Sequence, residues 1–315
     1  MVMSAAFVQA VKERYPDANI DLIAKKGLES LASRLPSHNQ LYIFSKEEYK
    51  GLAGAWKFGR KIRKEKKYDL FFCLPDSLSS AAMCYATGAK SRVGYKKEGR
   101  GIFLTHSFSK KNGLHRVEEY SNLLALFTGN AVTTDSVLLK KAGKNKSGTI
   151  VININSEASS RRLPKEKAVS IIQAVRRKTD NPVSLIGGPK DRDFVNEVYG
   201  LLENRSGITV LAGNTSLVEM ADIVEEASAV LTTDSGPAHL ANALGTHTIV
   251  LFGAGNDKNT APFNKEYCSV IRLGQLSCEP CVSNTCKKYG VPECLLRLDE
   301  NAIVQEVVKH LSFAK

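Results

Sequence analysis

Ala229-Val230-Leu231-Thr232-Thr233-Asp234-Ser235-Gly236-Pro237-Ala238-His239-Leu240-Ala241 is the stretch from which the fold is read. Its apolar start is a buried strand ending at Asp234, and a helix begins almost at once. Repeated strand-to-helix units of this kind build a largely parallel sheet. Ser235 and Gly236 can leave backbone N–H groups free at the helix start, where the helix dipole favours an anion. Pro237 fits the first turn, because its missing N–H is not needed there. A phosphate or pyrophosphate suits such a position. Asp234 is placed to accept hydrogen bonds from sugar hydroxyls, and His239, one turn in, faces the same mouth. A capped helix carrying a surface histidine is the plainer alternative, and the residues alone leave both open.

The alternation continues outward in both directions. In the second half, strands are expected at 149–154, 182–187, 207–211, 229–233 and 247–252. Helices are expected between them at 165–178, 191–203, 216–227 and 236–244, with a last amphipathic helix at about 300–312. In the first half, helices at 3–15, around 27–34, through Trp56 to Lys64, at 78–87 and at 115–127 alternate with strands at 20–24, 41–44, 68–74 and 92–95. Residues 96–112, rich in Lys, Gly and Ser, read as a mobile loop. At 315 residues the chain exceeds the comfortable size of one core. The charged, aperiodic run from Lys140 to Gly148 is the candidate boundary. The fold class is therefore α/β, with two doubly wound domains facing each other across a cleft. Ligands of such sheets bind at the carboxyl ends of the strands.

Composition narrows the function. The formal net charge is +12, which implies an acidic partner. Clusters such as Arg60-Lys61-Ile62-Arg63-Lys64 carry no helix-turn-helix, zinc-finger or RNA-binding signature, so nucleic acid is not the expected partner. A phosphorylated glycolipid or a membrane surface suits the charge better. No apolar run approaches the roughly 18–20 residues that span a bilayer, and Met1-Val2-Met3-Ser4 lacks a secretory signal's features. A cytoplasmic location is expected. Cys278, Cys281, Cys286 and Cys294 lie within 17 residues. In a cytosolic protein this spacing suits zinc or iron held by thiolates. Four reduced thiols bracing an irregular loop is the alternative. Cys73 and Cys84 read as core.

Asp-Ser-Gly-Pro-Ala-His-Leu-Ala at 234–241, followed by Gly245 and the strand Thr248–Gly253, resembles the signature of glycosyltransferase family 9. The best-known members of that family are ADP-heptose:lipopolysaccharide heptosyltransferases. Three further segments support the resemblance, which runs through about 150 residues. Asn155–Pro164 is similar to the family's phosphate-binding loop, Leu185–Asp191 to its Gly-Gly-Pro turn, and Leu211–Leu217 to the loop before the helix beside the nucleotide.

The resemblance implies a GT-B architecture: an acceptor-binding domain at 1–145, a nucleotide-sugar domain at 146–300, and a C-terminal helix at 301–315 packing back on the first. It implies that Arg161 is the cation for the donor pyrophosphate, with Ser159 and Ser160 as hydroxyl donors. Asp234, Ser235, Gly236 and His239 would hold the diphosphate and sugar, with Asp191, Asn214 and Thr215 near the nucleotide. Arg161 stands where the family usually has Lys, changing a point charge into a fork. Leu163 replaces a Trp, and Lys190 stands where a ribose contact is expected.

On the acceptor side the resemblance implies Lys96, Lys97, Arg100, His115 and Arg116, facing the phosphates and carboxylates of a lipopolysaccharide core at the inner membrane surface. The implied reaction is an inverting displacement from a nucleotide-sugar donor, ADP-heptose above all, with no cofactor required. The family opens with a strand and a Gly-Asp turn, and its Asp is the proposed general base. By this alignment that Asp falls just before Met1, so Met1 is expected to be a misassigned or alternative start; a naturally weakened relative is the alternative. Another sugar-nucleotide transferase, an epimerase, or a nucleotide-binding module without catalysis are the competing functions.

Overall fold

The structure, a computed structural model, describes residues 1–311. It divides into two compact units, essentially Met3–Asp135 and Ser136 onward. The first contains α1 (Ala5–Arg14), β1 (Asp21–Lys25), α2 (Glu29–Ala32), β2 (Gln40–Phe44), α3 (Gly51–Glu65), β3 (Leu70–Cys73), α4 (Leu78–Ala86), β4 (Ser91–Tyr95), β5 (His106–Phe108) and α5 (Arg116–Thr128). The second contains β6 (Ile150–Asn153), α6 (Lys165–Lys178), β7 (Val183–Leu185), α7 (Arg192–Gly200), β8 (Ile208–Val210), α8 (Leu217–Glu226), β9 (Ala229–Thr233), α9 (Gly236–Ala243), β10 (His247–Phe252), α10 (Asp257–Thr260), β11 (Cys268–Arg272), α11 (Glu293–Leu296) and α12 (Glu300–Lys309).

All strand pairs described are parallel. The second unit holds one sheet in the order β11-β10-β9-β6-β7-β8. Its first strand, β6, lies mid-sheet between β9 and β7 and is buried along its full length. Ile150-Val151-Ile152 can be apolar on both faces because helices cover both sides of such a sheet. The first unit has two separate sheets, β1-β2 and β3-β4-β5. There β1 and β3 are mostly half-buried. Helix α1 buries Phe7 and Val11 against Leu124 of α5 and Phe72 of β3, with the Phe7 and Phe72 rings edge to face at 5.0 Å. Helices α3 and α4 approach very closely: a Cβ on Gly59 would sit 2.4 Å from the Met83 carbonyl oxygen.

Three expectations are corrected. The segment 96–112 contains β5, which pairs with β4, and the wholly buried Arg100. Arg100 donates to the Pro75 carbonyl and to Cys73 Sγ at 2.9 Å, and that anchor holds down what composition marks as mobile. The division between units falls before Ser136 rather than at 145/146. Buried Glu225 accepts the backbone N–H groups of Ala142, Gly143 and Lys144 at 2.9, 2.9 and 3.2 Å, and Asn264 Oδ1 accepts that of Val137 at 2.7 Å. The apparent linker is thereby part of the second unit. Finally, α12 was expected to pack back on the first domain. Its buried face, Ile303, Val304 and Val307, belongs to the core of the second unit with Ile171, Leu231 and Ile249. Residues 312–315, the end of the expected helix, lie outside the described residues. No helix among those described is long and apolar enough to cross a membrane.

Candidate functional site

The sheet of the second unit reverses its winding between β6 and β9, since β6, β7 and β8 succeed one another toward one edge of the sheet and β9, β10 and β11 toward the other. At such a reversal the two flanking loops part at the carboxyl ends of the strands and leave a crevice. The loops here are Ile154–Pro164 after β6 and Asp234–Ser235 after β9.

A buried polar network braces them. Asn153 Nδ2 reaches Thr232 Oγ1 at 3.0 Å, Ser235 Oγ at 2.9 Å and the Asn155 carbonyl at 3.1 Å. Asn155 Nδ2 donates to the Ile186 carbonyl at 3.0 Å, and Thr233 Oγ1 donates to the Asn155 carbonyl. Asn155 Oδ1 is buried with no hydrogen-bond partner. Burying amides without pairing them costs stability, so these asparagines earn their place by fixing the loops. Sequence reading missed both, although two asparagines closing an Ile-Val-Ile strand are themselves a signal.

Arg161 and Asp234 meet at the mouth, with Nη1 3.4 Å from Oδ2. The Asp234 side chain is 6% exposed and that of Arg161 34%. Burial raises the Asp234 pKa above the usual carboxylate range, and the Arg161 guanidinium works against that rise. Gly255, after β10, forms the wall beside the carboxylate, where an added Cβ would lie 2.1 Å from Asp234 Oδ2. Arg161, Ala254, Gly255, Val282, Ser283 and Asn284 line a small cavity of about 100 Å³. Helix α9 opens beside it with Pro237 in its first turn and no side-chain cap. Ser235 Oγ donates instead to the Thr233 carbonyl at 3.1 Å. A fork of guanidinium N–H donors next to an uncapped helix start is an arrangement that holds phosphate oxygens.

The structure thus brings Arg161, Asp234, Ser235 and Gly236 together, with half-buried His239 on the first turn of α9. It uses other expected residues differently. Ser159 and Ser160 donate their hydroxyls to the carbonyls of Asn284 and Ser283. They pin the β6–α6 loop to the cysteine-rich segment. Asp191 accepts the Gly188 N–H at 3.0 Å and pairs with Arg162 at 3.2 Å, locking the Gly-Gly-Pro turn. Asn214 Oδ1 accepts from Arg192 at 2.8 Å, and Thr215 is half-buried in the same loop.

Among the acceptor candidates, Arg100 and His115 are corrections. Arg100 is fully buried and pairs with Asp76 at 3.7 Å. His115 is buried as the N-cap of α5, its Nδ1 accepting the Val117 N–H at 3.2 Å. Neither side chain is turned outward to an acceptor. Lys96 and Lys97 are exposed, and Arg116 pairs with Glu119 at 2.8 Å.

The four cysteines are also placed differently from expectation. Among the described residues no three of the Sγ atoms of Cys278, Cys281, Cys286 and Cys294 lie within 4.8 Å of one another. Cys294 is buried and its thiol is pushed up to about 11, first by burial and then by Glu279 and Cys286. Both Glu279 carboxylate oxygens are buried without a partner.

Comparison with known proteins accords with this geometry. Residues 55–291 match the family model described as glycosyltransferase family 9 (heptosyltransferase). Lipooligosaccharide heptosyltransferase 2 of Haemophilus influenzae is 27% identical over 301 residues, covering 87% of this chain and 85% of the relative. The solved Escherichia coli ADP-heptose lipopolysaccharide heptosyltransferase II superposes with a TM-score of 0.80 at 22% identity, over 99% of this chain and 95% of that one. E. coli heptosyltransferase WaaC, solved with ADP, gives 0.76 at 16% identity over 98% and 95%.

Proposed function

The chain belongs to glycosyltransferase family 9, the heptosyltransferases, and is a glycosyltransferase; we propose that it moves a heptose from ADP-heptose to a lipopolysaccharide-core acceptor with inversion at the anomeric carbon. The heptosyl and lipopolysaccharide parts rest on the curated relatives, which are named for them. The observation that carries the donor half is the Arg161–Asp234 pair beside the uncapped start of α9, at the winding reversal of a parallel sheet. The ADP base is taken from the solved relatives, whose names carry it.

In this reading the acceptor oxygen attacks the anomeric carbon from the face opposite the diphosphate, and its proton passes to a general base. The bond from that carbon to the diphosphate oxygen breaks, and the electron pair leaves with ADP. Arg161 and the N–H groups opening α9 stabilise the negative charge that develops, the kind of contribution that often dominates catalysis. Asp234 orients Arg161 and accepts from a sugar hydroxyl. Ser159 and Ser160 position the loop, and no step is given to a cofactor. Lys96, Lys97 and Arg116 of the first unit would meet anionic groups of the acceptor, with the enzyme working at the cytoplasmic side of the inner membrane. At the cysteine-rich segment, Cys278, Cys281, Cys286 and Cys294 are the set that would take a structural zinc or iron, and their Sγ atoms would have to be drawn together to hold it.

The test is transfer itself. The chain, ADP-heptose and a heptose-free inner-core glycolipid are incubated, and the product is followed by mass spectrometry, with its anomeric configuration read by NMR. A mass gain of one heptose with inverted configuration is expected. Tight ADP-heptose binding without any product, also in a chain extended upstream to supply the Gly-Asp turn, would instead favour a nucleotide-binding module without catalysis. Transfer only from a UDP-sugar would move the chain to a different donor.

A further inference from the structure

At the opposite, amino-terminal end of the same sheet, three metal-binding side chains converge. His247 is the first residue of β10. Glu306 and His310 stand four residues apart at the end of α12, a spacing that sets them one above the other on one helix face. One ligand atom from each residue lies within 4.8 Å of the other two. His310 Nε2 is 3.1 Å from Glu306 Oε1. Ser269 of β11 sits behind them, its Oγ 2.6 Å from Glu306 Oε1 and 3.0 Å from His247 Nε2. The two imidazoles lie face to face, with centroids 3.2 Å apart and planes at 17°.

The stacked rings would have to turn apart for their in-plane nitrogen lone pairs to meet one ion, and the three ligand atoms already lie within 4.8 Å of one another. All three residues are half-buried, which leaves one side for a water ligand. We propose that His247, Glu306 and His310 form a zinc site that ties the C-terminal helix to the sheet, independent of the donor site and of its chemistry. Two imidazole nitrogens and one carboxylate oxygen, with water in the fourth position, make a zinc-type tetrahedral set. Ser269 would hold Glu306 in place, as hydrogen-bonded partners of metal ligands commonly do. The cysteine-rich segment is a separate group of residues, and it contributes none of the three ligands.

The test uses the reduced, metal-free full chain labelled with ¹⁵N-histidine. Its six histidines are assigned by single His→Gln variants, and one equivalent of Zn²⁺ is added. Expected is a shift of the imidazole nitrogen resonances of His247 and His310 together, with the other four unmoved. Calorimetry on E306Q and H310Q, each checked for an unchanged circular dichroism spectrum, should show zinc affinity at this site weaker by at least about tenfold. Zinc that binds while leaving His247 or His310 unmoved is bound elsewhere and overturns the proposal. Failure of the native chain to bind zinc overturns it as well. The labelled native protein decides the matter even where a variant folds poorly.

Discussion

Gly255→Ala is the sharpest perturbation of the donor site, because it alters Asp234 without touching it chemically. The new Cβ would stand 2.1 Å from Asp234 Oδ2 and 3.2 Å from Phe252 Cε1. Side-chain carbons are essentially never found within 3.0 Å of such an atom, so the carboxylate must retreat by about 1 Å or the β10–α10 loop must move. Asp234 has little room, with its side chain 6% exposed, and its contact to Arg161 is already long at 3.4 Å. The overpacking should cost about 1–3 kcal/mol of stability. Losing one charge-assisted contact at the phosphate site should cost about 1.5–3 kcal/mol of binding, or roughly 10- to 150-fold in ADP affinity. Calorimetry with ADP measures the second effect and thermal melting the first. Gly200→Ala is the control, because a Cβ there meets nothing within 4 Å at the end of α7; it should leave ADP affinity unchanged. A folded Gly255→Ala protein that binds ADP within twofold of the native chain would refute the placement of the phosphate beside Asp234.

Other residues give further checks. Arg100→Met should destabilise the first unit by about 1–3 kcal/mol in chemical denaturation, because it removes buried bonds to the Pro75 carbonyl and Cys73 Sγ, while Asp76 keeps Lys110 and the Pro75 carbonyl keeps Ser80. Glu225→Ala should cost about 2–3 kcal/mol and expose the amides of Ala142, Gly143 and Lys144 to hydrogen exchange, since Glu225 accepts all three. Burial and the neighbouring His310 hold His247 down to about 4, against 6.5 for a free histidine. Between those values the unfolded chain takes up the proton more readily than the folded one. Stability of the metal-free protein should therefore fall as pH drops from 6.5 to 4, by about 1–2 kcal/mol after discounting for partial exposure. His247→Gln should flatten that window in melts recorded across pH.

Much of the second unit was legible because β6, β9 and β10 are buried, largely apolar runs ending in punctuated loops. Ala229–Thr233 and the turn at Asp234 fall where the sequence sets them. The elements that escaped are short or polar. β5 has three residues, and β11 reads Cys-Ser-Val-Ile-Arg, too little pattern for a period of two to stand out. The charged run from Lys140 to Gly148 has the composition of a linker, yet one buried glutamate just over eighty residues later in the chain holds it. Arg100 and His115 illustrate a different limit. A basic residue in a basic loop reads as a surface contact, and only tertiary packing reveals that these two turn inward. For the same reason the hydroxyls of Ser159 and Ser160 could be counted from sequence while their acceptors, two carbonyls in the cysteine-rich segment, could not.

The central claim is that the donor diphosphate sits on Arg161 at the β6–β9 reversal. Calorimetric titration of the native chain and of Arg161→Ala with ADP-heptose tests it most directly. The account requires saturable one-site binding to the native chain, weakened at least about tenfold by the substitution, the expected loss of a charge-assisted contact, with the circular dichroism spectrum unchanged. Equal affinity in both proteins would contradict it and would place the donor elsewhere in the fold.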